Sequence, residues 1–305
     1  MDVTVSIGKN RPAMTPADSA DELLPGGSVV GGRYRVRHCI GSGSMGTVYA
    51  ANDVLDGRQL ALKIIRRDHT SDSGMVARFQ REGRLISRLG HPNIVKVFDL
   101  AEADGLWFIA MELLEGRNLE SAITMTGTFQ SSEIIHLLGG ILDALEVAHA
   151  HRIVHRDLRP ENIFLVDRAG ESPHVKVLDF GVAKDVGLSA EEQLTRSGMV
   201  LGTPEFMAPE QAMGTSVDHR SDLYSVGCLA YAMLCGRPPF IDNWPLRVAM
   251  KQAFEPHLPP SQLRPDLRFA AAVDRFIGRA LQKQPADRYQ TAIEMRADLA
   301  SIDRS

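Results

Sequence analysis

Asp157 and Asn162, two oxygen-bearing side chains five positions apart, are the strongest chemical signal in the chain. They stand in the run His155-Arg156-Asp157-Leu158-Arg159-Pro160-Glu161-Asn162, with an arginine on either side of the aspartate. A carboxylate can accept the proton of a hydroxyl, a carboxamide oxygen can ligate Mg²⁺, and guanidinium groups can face phosphate. Together these are the demands of phosphoryl transfer. A short polar run taken alone describes a solvated loop equally well, so the weight falls on what else the chain carries.

A second signal lies upstream in Gly41-Ser42-Gly43-Ser44-Met45-Gly46-Thr47-Val48. Its three glycines let backbone N–H groups approach phosphate oxygens with no Cβ in the way. Dinucleotide-binding turns share the spacing but require a helix to open at the last glycine. Here Thr47-Val48-Tyr49 continues as strand, and Ala61-Leu62-Lys63 stands where an acidic ribose ligand would be wanted. No Lys-Ser/Thr follows the last glycine, so a Walker loop is excluded as well. A hairpin lid over a nucleotide remains. Lys63, flanked by Ala61, Leu62, Ile64 and Ile65, sends an ammonium out of a buried strand and needs a counter-charge or a phosphate.

These residues need two kinds of scaffold. Short β-rich runs at 34–40, 47–52 and 59–65 predict three strands, with Asp56-Gly57 turning between the last two. Residues 75–89 predict a helix with Phe79, Leu85, Ile86 and Leu89 as its apolar stripe and Glu82 on a neighbouring face. His91-Pro92-Asn93-Ile94-Val95 should stop that helix and start a strand, and residues 107–111 a fifth. Beyond residue 117 the pattern turns helical, most clearly over 131–149, where the spacing of His149 and His151 makes a poor metal pair. Two short strands, 163–166 and 175–178, flank a turn, and Asp179-Phe180-Gly181 follows at once. Residues 182–201 are rich in Ser, Thr and Gly, as a mobile loop should be, and an apolar helix runs from Asp222 through Leu234. Residues 1–33 read as a flexible leader, with order expected to begin near Ser28-Val29-Val30.

A chain of 305 residues with net charge −4 offers no basic field for nucleic acid or an anionic membrane. Three cysteines without metal spacing, no signal pattern and no long apolar run fit a reducing cytoplasm.

In order and separation these motifs resemble those of the eukaryotic-type (Hanks-type) protein kinases, most of all their bacterial serine/threonine members, over about residues 33–298. The resemblance implies an α+β, two-lobed fold: a β-rich lobe over about 34–111, a hinge at 112–117, a helical lobe over 118–298 and a tail at 299–305, with ATP in the cleft. It implies Asp157 as proton acceptor, Glu82 as the partner that aims Lys63 at the phosphates, and Asn162 and Asp179 as holders of Mg²⁺. Ile40, Gly41, Ser42, Gly43, Ser44, Met45, Gly46, Val48, Ala61, Met111 and Phe164 would contact the nucleotide, with main-chain groups of Glu112 and Leu114 meeting the adenine edge. Glu210 would pair with Arg288 in a structural role. Pro160-Glu161 and Gly202-Thr203 resemble kinases acting on Ser or Thr of proteins. Arg159 departs from the usual lysine facing the γ-phosphate, and Phe206 from the usual tyrosine. Thr195 and Ser197 match the positions of activating phosphosites, with Arg156 as the phosphate's partner and transient dimers as a route to autophosphorylation. A pseudokinase scaffold would lack some of Lys63, Asp157, Asn162 and Asp179, and all four are present. A small-molecule kinase would lack the docking loop at 202–210.

Overall fold

The computed structural model describes residues 24–43, 46–65, 73–180, 203–267 and 270–302. The expected positions Ser44, Met45, Thr195 and Ser197 lie outside them. The chain divides into two units, residues up to 90 with 94–117, and residues 91–93 with 118 onward.

The first unit is an antiparallel six-stranded sheet in the order β1-β2-β3-β4-β6-β5. Its strands are β1 (Val29–Val30), β2 (Tyr34–Ser42), β3 (Gly46–Asp53), β4 (Gln59–Ile65), β5 (Val97–Ala103) and β6 (Leu106–Glu112). β4 is central, paired with β3 and β6, and six of its seven residues are buried. A run such as Leu-Ala-Leu-Lys-Ile-Ile suits a strand covered on both faces. Residues 24–33 join the sheet earlier than a boundary at Tyr34 suggests: Val29 and Val30 pair with Arg35 and Tyr34, and Leu24 packs on the core.

Among the described residues of this unit one helix, α1 (Ser73–Ile86), packs through Phe79, which clusters with Ile65 and Ile109. It ends three residues short of the expected stop, with Leu89 buried beyond it. Glu82 is buried on the face of Phe79 and Ile86, where a neighbouring face was expected, and Leu85 is only half-buried. Spacings of three and four from Phe79 reach Glu82, Gly83 and Ile86, so the stripe runs through them and not through Leu85. A Cβ on Gly83 would lie 3.1 Å from the Leu100 methyls, which explains a glycine where the helix meets β5 and β6. The expected strand start at 91–95 is also corrected, because β5 begins at Val97. Asn93 instead donates to Val175 O at 2.9 Å and accepts from Val177 N–H at 2.8 Å, so that residues 91–93 belong to the second unit.

β7 (Gly116–Asn118) leads into the second unit, in which helices surround a small antiparallel hairpin, β8 (Ile163–Val166) with β9 (His174–Val177). Among the described residues its helices are α2 (Leu119–Thr126), α3 (Ser131–Ala150), α4 (Arg220–Cys235), α5 (Pro245–Phe254), α6 (Ala270–Ala280) and α7 (Ala292–Ile302), with four-residue helical turns at Pro209–Ala212 and Pro260–Leu263. Fourteen residues of α4, from Ser221 to Leu234, are buried, so it is the axis of the unit. Among the described residues no helix is long and apolar enough to cross a membrane.

The Glu210–Arg288 pair is present and almost inaccessible, at 4% and 1% exposure. The guanidinium grips both carboxylate oxygens at 2.8 and 2.7 Å and donates further to the carbonyls of Gln282 and Lys283. Burial opposes the charge on Glu210, but the Arg288 hydrogen bonds outweigh it and hold the carboxyl below its usual range. Removing one partner strands a buried charge. Arg288→Ala should therefore lower the unfolding free energy by about 3–5 kcal/mol, read from urea denaturation at unchanged slope. A loss below about 1 kcal/mol, the range of a surface pair, would contradict the pair's burial.

Candidate active site

In the β-rich unit, Lys63 sits mid-strand on β4, opposite Val48 on one side and Ile109 on the other. It is 8% exposed, and its Nζ donates to Glu82 Oε1 at 3.0 Å. A buried ammonium needs such a carboxylate, and the inward turn of Glu82 on α1 supplies it. The glycine-rich run forms the β2–β3 hairpin, with Gly43 N–H donating to Gly46 O at 2.9 Å. A Cβ at Gly46 would come within 2.2 Å of Ile64 O, so only glycine fits there. Ile40, Gly41, Ser42 and Val48 follow along this hairpin, while Ala61 is buried on β4. Met111 and Glu112 end β6 half-buried, the Glu112 N–H donating to Lys96 O, and Leu114 follows just outside the strand.

The second unit assembles the other residues around one carboxylate. Asp222, near the start of α4 and 1% exposed, accepts from His155 N–H at 2.8 Å, Arg156 N–H at 2.9 Å and His149 Nε2 at 2.8 Å. Burial alone would push its carboxyl up, but the hydrogen bonds from His149 and the His155 N–H hold it below the usual range. Arg156 has φ +62, in the left-handed region that a side chain disfavours. Its backbone is clamped on both sides, the N–H by Asp222 and the C=O by Gln211 Nε2 at 2.8 Å. Sequence reading did not find Asp222 or Gln211. An acid opening an otherwise apolar helix was the one available hint of the former.

His155 transmits this order onward. Fully buried, its imidazole is held down in pKa by burial and so stays neutral. Its Nε2–H donates to Leu178 O at 2.9 Å, Nδ1 accepts from Asp157 N–H at 3.3 Å, and the ring lies 4.6 Å from that of Phe180. Leu178 N–H in turn donates to Asn162 O at 2.8 Å, which brings Asp179 (φ +34) next to the Asn162 backbone. Asn162 Nδ2 donates to Asp157 O at 2.8 Å and approaches Asp157 Oδ2 at 3.3 Å. With the nitrogen so engaged, the carboxamide oxygen is the atom left to present outward. Asp157, Asn162 and Asp179 are thus brought together.

Arg159, expected to face phosphate, has a carboxylate partner within its own loop. Its guanidinium is held by Glu161 through two contacts, one of them 2.8 Å from Nε to Oε2. Burial disfavours its charge, but this partner outweighs burial and raises its pKa. Phe164 is half-buried on β8. His149 serves Asp222 and His151 bonds Val147 O, and no cluster of three metal-ligating side chains occurs among the described residues.

Comparison with known proteins agrees with this geometry. The family model for the protein kinase domain matches residues 34–298. The serine/threonine-protein kinase pkn3 of Myxococcus xanthus is 42% identical over 91% of this chain and 51% of its own length. The probable serine/threonine-protein kinase PknB of Corynebacterium glutamicum is 41% identical over 91% of this chain and 43% of its own. This chain therefore spans about half the length of these curated relatives. Among solved structures, the kinase domain of Mycobacterium tuberculosis PknI is 28% identical, with a TM-score of 0.71 over 92% of this chain and all of that one.

The Asp222 hub generates its own test. Asp222→Ala should destabilise the fold by about 3–5 kcal/mol and speed amide exchange at His155 and Arg156. A folded carboxyl pKa below the unfolded value places its stabilisation above about pH 3.9, to be lost as pH falls through the folded pKa. The gap between wild type and variant should therefore narrow on acidification below that point. A gap that is constant with pH, with unchanged exchange at both amides, would contradict the assignment.

Proposed function

This chain belongs to the protein kinase family, and from that premise we propose that it transfers the γ-phosphate of ATP to serine and threonine hydroxyls of proteins. The observation that carries this reading is Asn162 bonded to Asp157 on a loop whose backbone Asp222 clamps. That arrangement fixes a carboxylate beside an amide oxygen, as transfer to a hydroxyl requires.

The groups divide by task. Asp157 orients the acceptor hydroxyl and takes its proton, a contribution of roughly 10²–10⁴ in rate. Lys63, held by Glu82, and the N–H groups of the glycine hairpin bind phosphate oxygens and carry charge as it develops. Met111, Ala61, Ile40 and Val48, all in the β-rich unit, would contact the adenine. Arg159 reaches the γ-phosphate only by exchanging Glu161 for phosphate oxygens, which its planar fork can grip in the same way. The residues suit Mg²⁺: Asn162 and Asp179 offer two hard oxygens, the usual protein share when phosphates and water complete the shell. Mg²⁺ there would neutralise phosphate charge. The named serine/threonine kinases among the relatives support the acceptor type, as do Pro160-Glu161 and Thr203. The chain works where ATP is abundant, in the cytoplasm, and phosphorylates its own Thr195, Ser197 or both in transient dimers.

With purified protein, ATP and Mg²⁺, a generic acceptor should gain phosphoserine and phosphothreonine, and Asp157→Asn and Lys63→Met should each lower the rate at least about a hundredfold. Rates equal to wild type in both variants would sink the assignment, and phosphotyrosine as main product would overturn the acceptor type. Mass spectrometry after incubation with ATP should find phosphate within residues 185–201 of wild type and none in Asp157→Asn. An unmodified segment in an active enzyme would remove the self-phosphorylation step.

A further inference from the structure

The segment Thr203–Met207 borders the catalytic loop: Thr203, Phe206 and Met207 line one shallow pocket with Asp157 and Arg159. Its backbone is held in an unusual way. Three consecutive carbonyls, those of Pro204, Glu205 and Phe206, accept hydrogen bonds from side chains of two helices. Gln252 on α5 supplies two of them, its Nε2 donating to Pro204 O at 3.1 Å and to Glu205 O at 2.7 Å. Ser225 on α4 supplies the third, from Oγ to Phe206 O at 2.8 Å.

Gln252 is itself fixed. It is 0% exposed on the inward face of α5 with Val248, Ala249 and Ala253. Its Oε1 accepts from the hydroxyl of Tyr224, also 0% exposed, at 2.6 Å. Its own carbonyl accepts from Lys283 Nζ at 2.8 Å, and that ammonium lies 4.3 Å from the centre of the Phe240 ring. Both amide hydrogens are directed at the segment. A buried amide so committed sets the position of what it binds.

We infer that Gln252 is a positioning residue for the polypeptide acceptor: it fixes the Pro204–Phe206 backbone against which the residues beside the phosphorylated hydroxyl dock. This rests on the reading of the protein as a kinase acting on polypeptides. Gln252 touches neither Asp157 nor the glycine hairpin among its hydrogen-bond partners, so its loss should weaken acceptor binding and leave nucleotide handling alone. Water, the acceptor in slow hydrolysis of ATP, needs no docking segment.

Wild type, Gln252→Met and Ser225→Ala should be compared with myelin basic protein as acceptor, without it for hydrolysis of ATP, and by thermal melting. Gln252→Met keeps the side-chain volume and deletes both donors, so the acceptor KM should rise about tenfold while the ATP KM and the hydrolysis rate stay within about twofold. Ser225→Ala, which removes one bond of the three, should raise the same KM about threefold and serves even if the first variant folds poorly. Acceptor KM values within about twofold of wild type in both variants overturn the inference. Parallel losses in hydrolysis, acceptor use and melting temperature overturn it too, since they show a structural amide only. A wild type that hydrolyses ATP and phosphorylates no protein overturns the kinase reading and this inference together. Normal transfer with unaltered acceptor KM in the variants overturns this inference alone.

Discussion

A single buried carboxylate, that of Asp222, holds the catalytic loop in a shape the loop would not adopt by itself. Arg156 in the left-handed region costs about 1–3 kcal/mol, and such a conformation persists only where its surroundings over-determine it. Asp222 satisfies two successive N–H groups and Gln211 the following carbonyl, so the strained turn leaves these polar groups paired. The order then passes outward through His155 to Leu178 and from Leu178 to Asn162. Remove the carboxylate and every later link loses its reference point.

The β-rich unit follows the same rule with the charges reversed. Lys63 is placed on the central strand of the sheet, where an unpaired ammonium could not remain charged. Glu82 makes its burial tolerable and fixes the ammonium in place mid-strand, on the strand paired with the glycine hairpin. In both units the reactive group is exact in position because an oppositely charged or hydrogen-bonding partner is buried with it. In the proposed docking of the polypeptide, the third buried polar group is Gln252, which is neutral and so acts through direction alone.

Much of this was legible in the sequence, because local patterns carry it. Lys63 in an apolar run, glycines at close-approach spacing and a carboxylate with its carboxamide five residues on are all short-range signals. The Glu210–Arg288 pair came from family resemblance, not from spacing, since its partners lie far apart in the chain. Asp222 escaped because its partners stand 66 and 67 positions upstream and nothing nearby shows that an acid at a helix start is buried. Gln252 left a readable trace that went unused: a polar residue among Val248, Ala249 and Ala253 on one helical face. The stripe on α1 was misplaced for a related reason, since a buried Glu82 and a close-packed Gly83 do not look like core in a hydrophobicity pattern.

The central claim for the molecule is that the Asp222 anchor sets the chemical step and not nucleotide binding. The direct measurement is single-turnover phosphoryl transfer in Asp222→Asn, alongside its affinity for Mg-ATP. Asparagine keeps the shape of the side chain but turns an amide against a backbone N–H, so the loop should shift by a fraction of its width. Transfer should be slower by about a hundredfold, the cost of misplacing a reacting group by about 1 Å, with ATP affinity within about twofold of wild type. A transfer rate equal to wild type in a folded Asp222→Asn protein would contradict it.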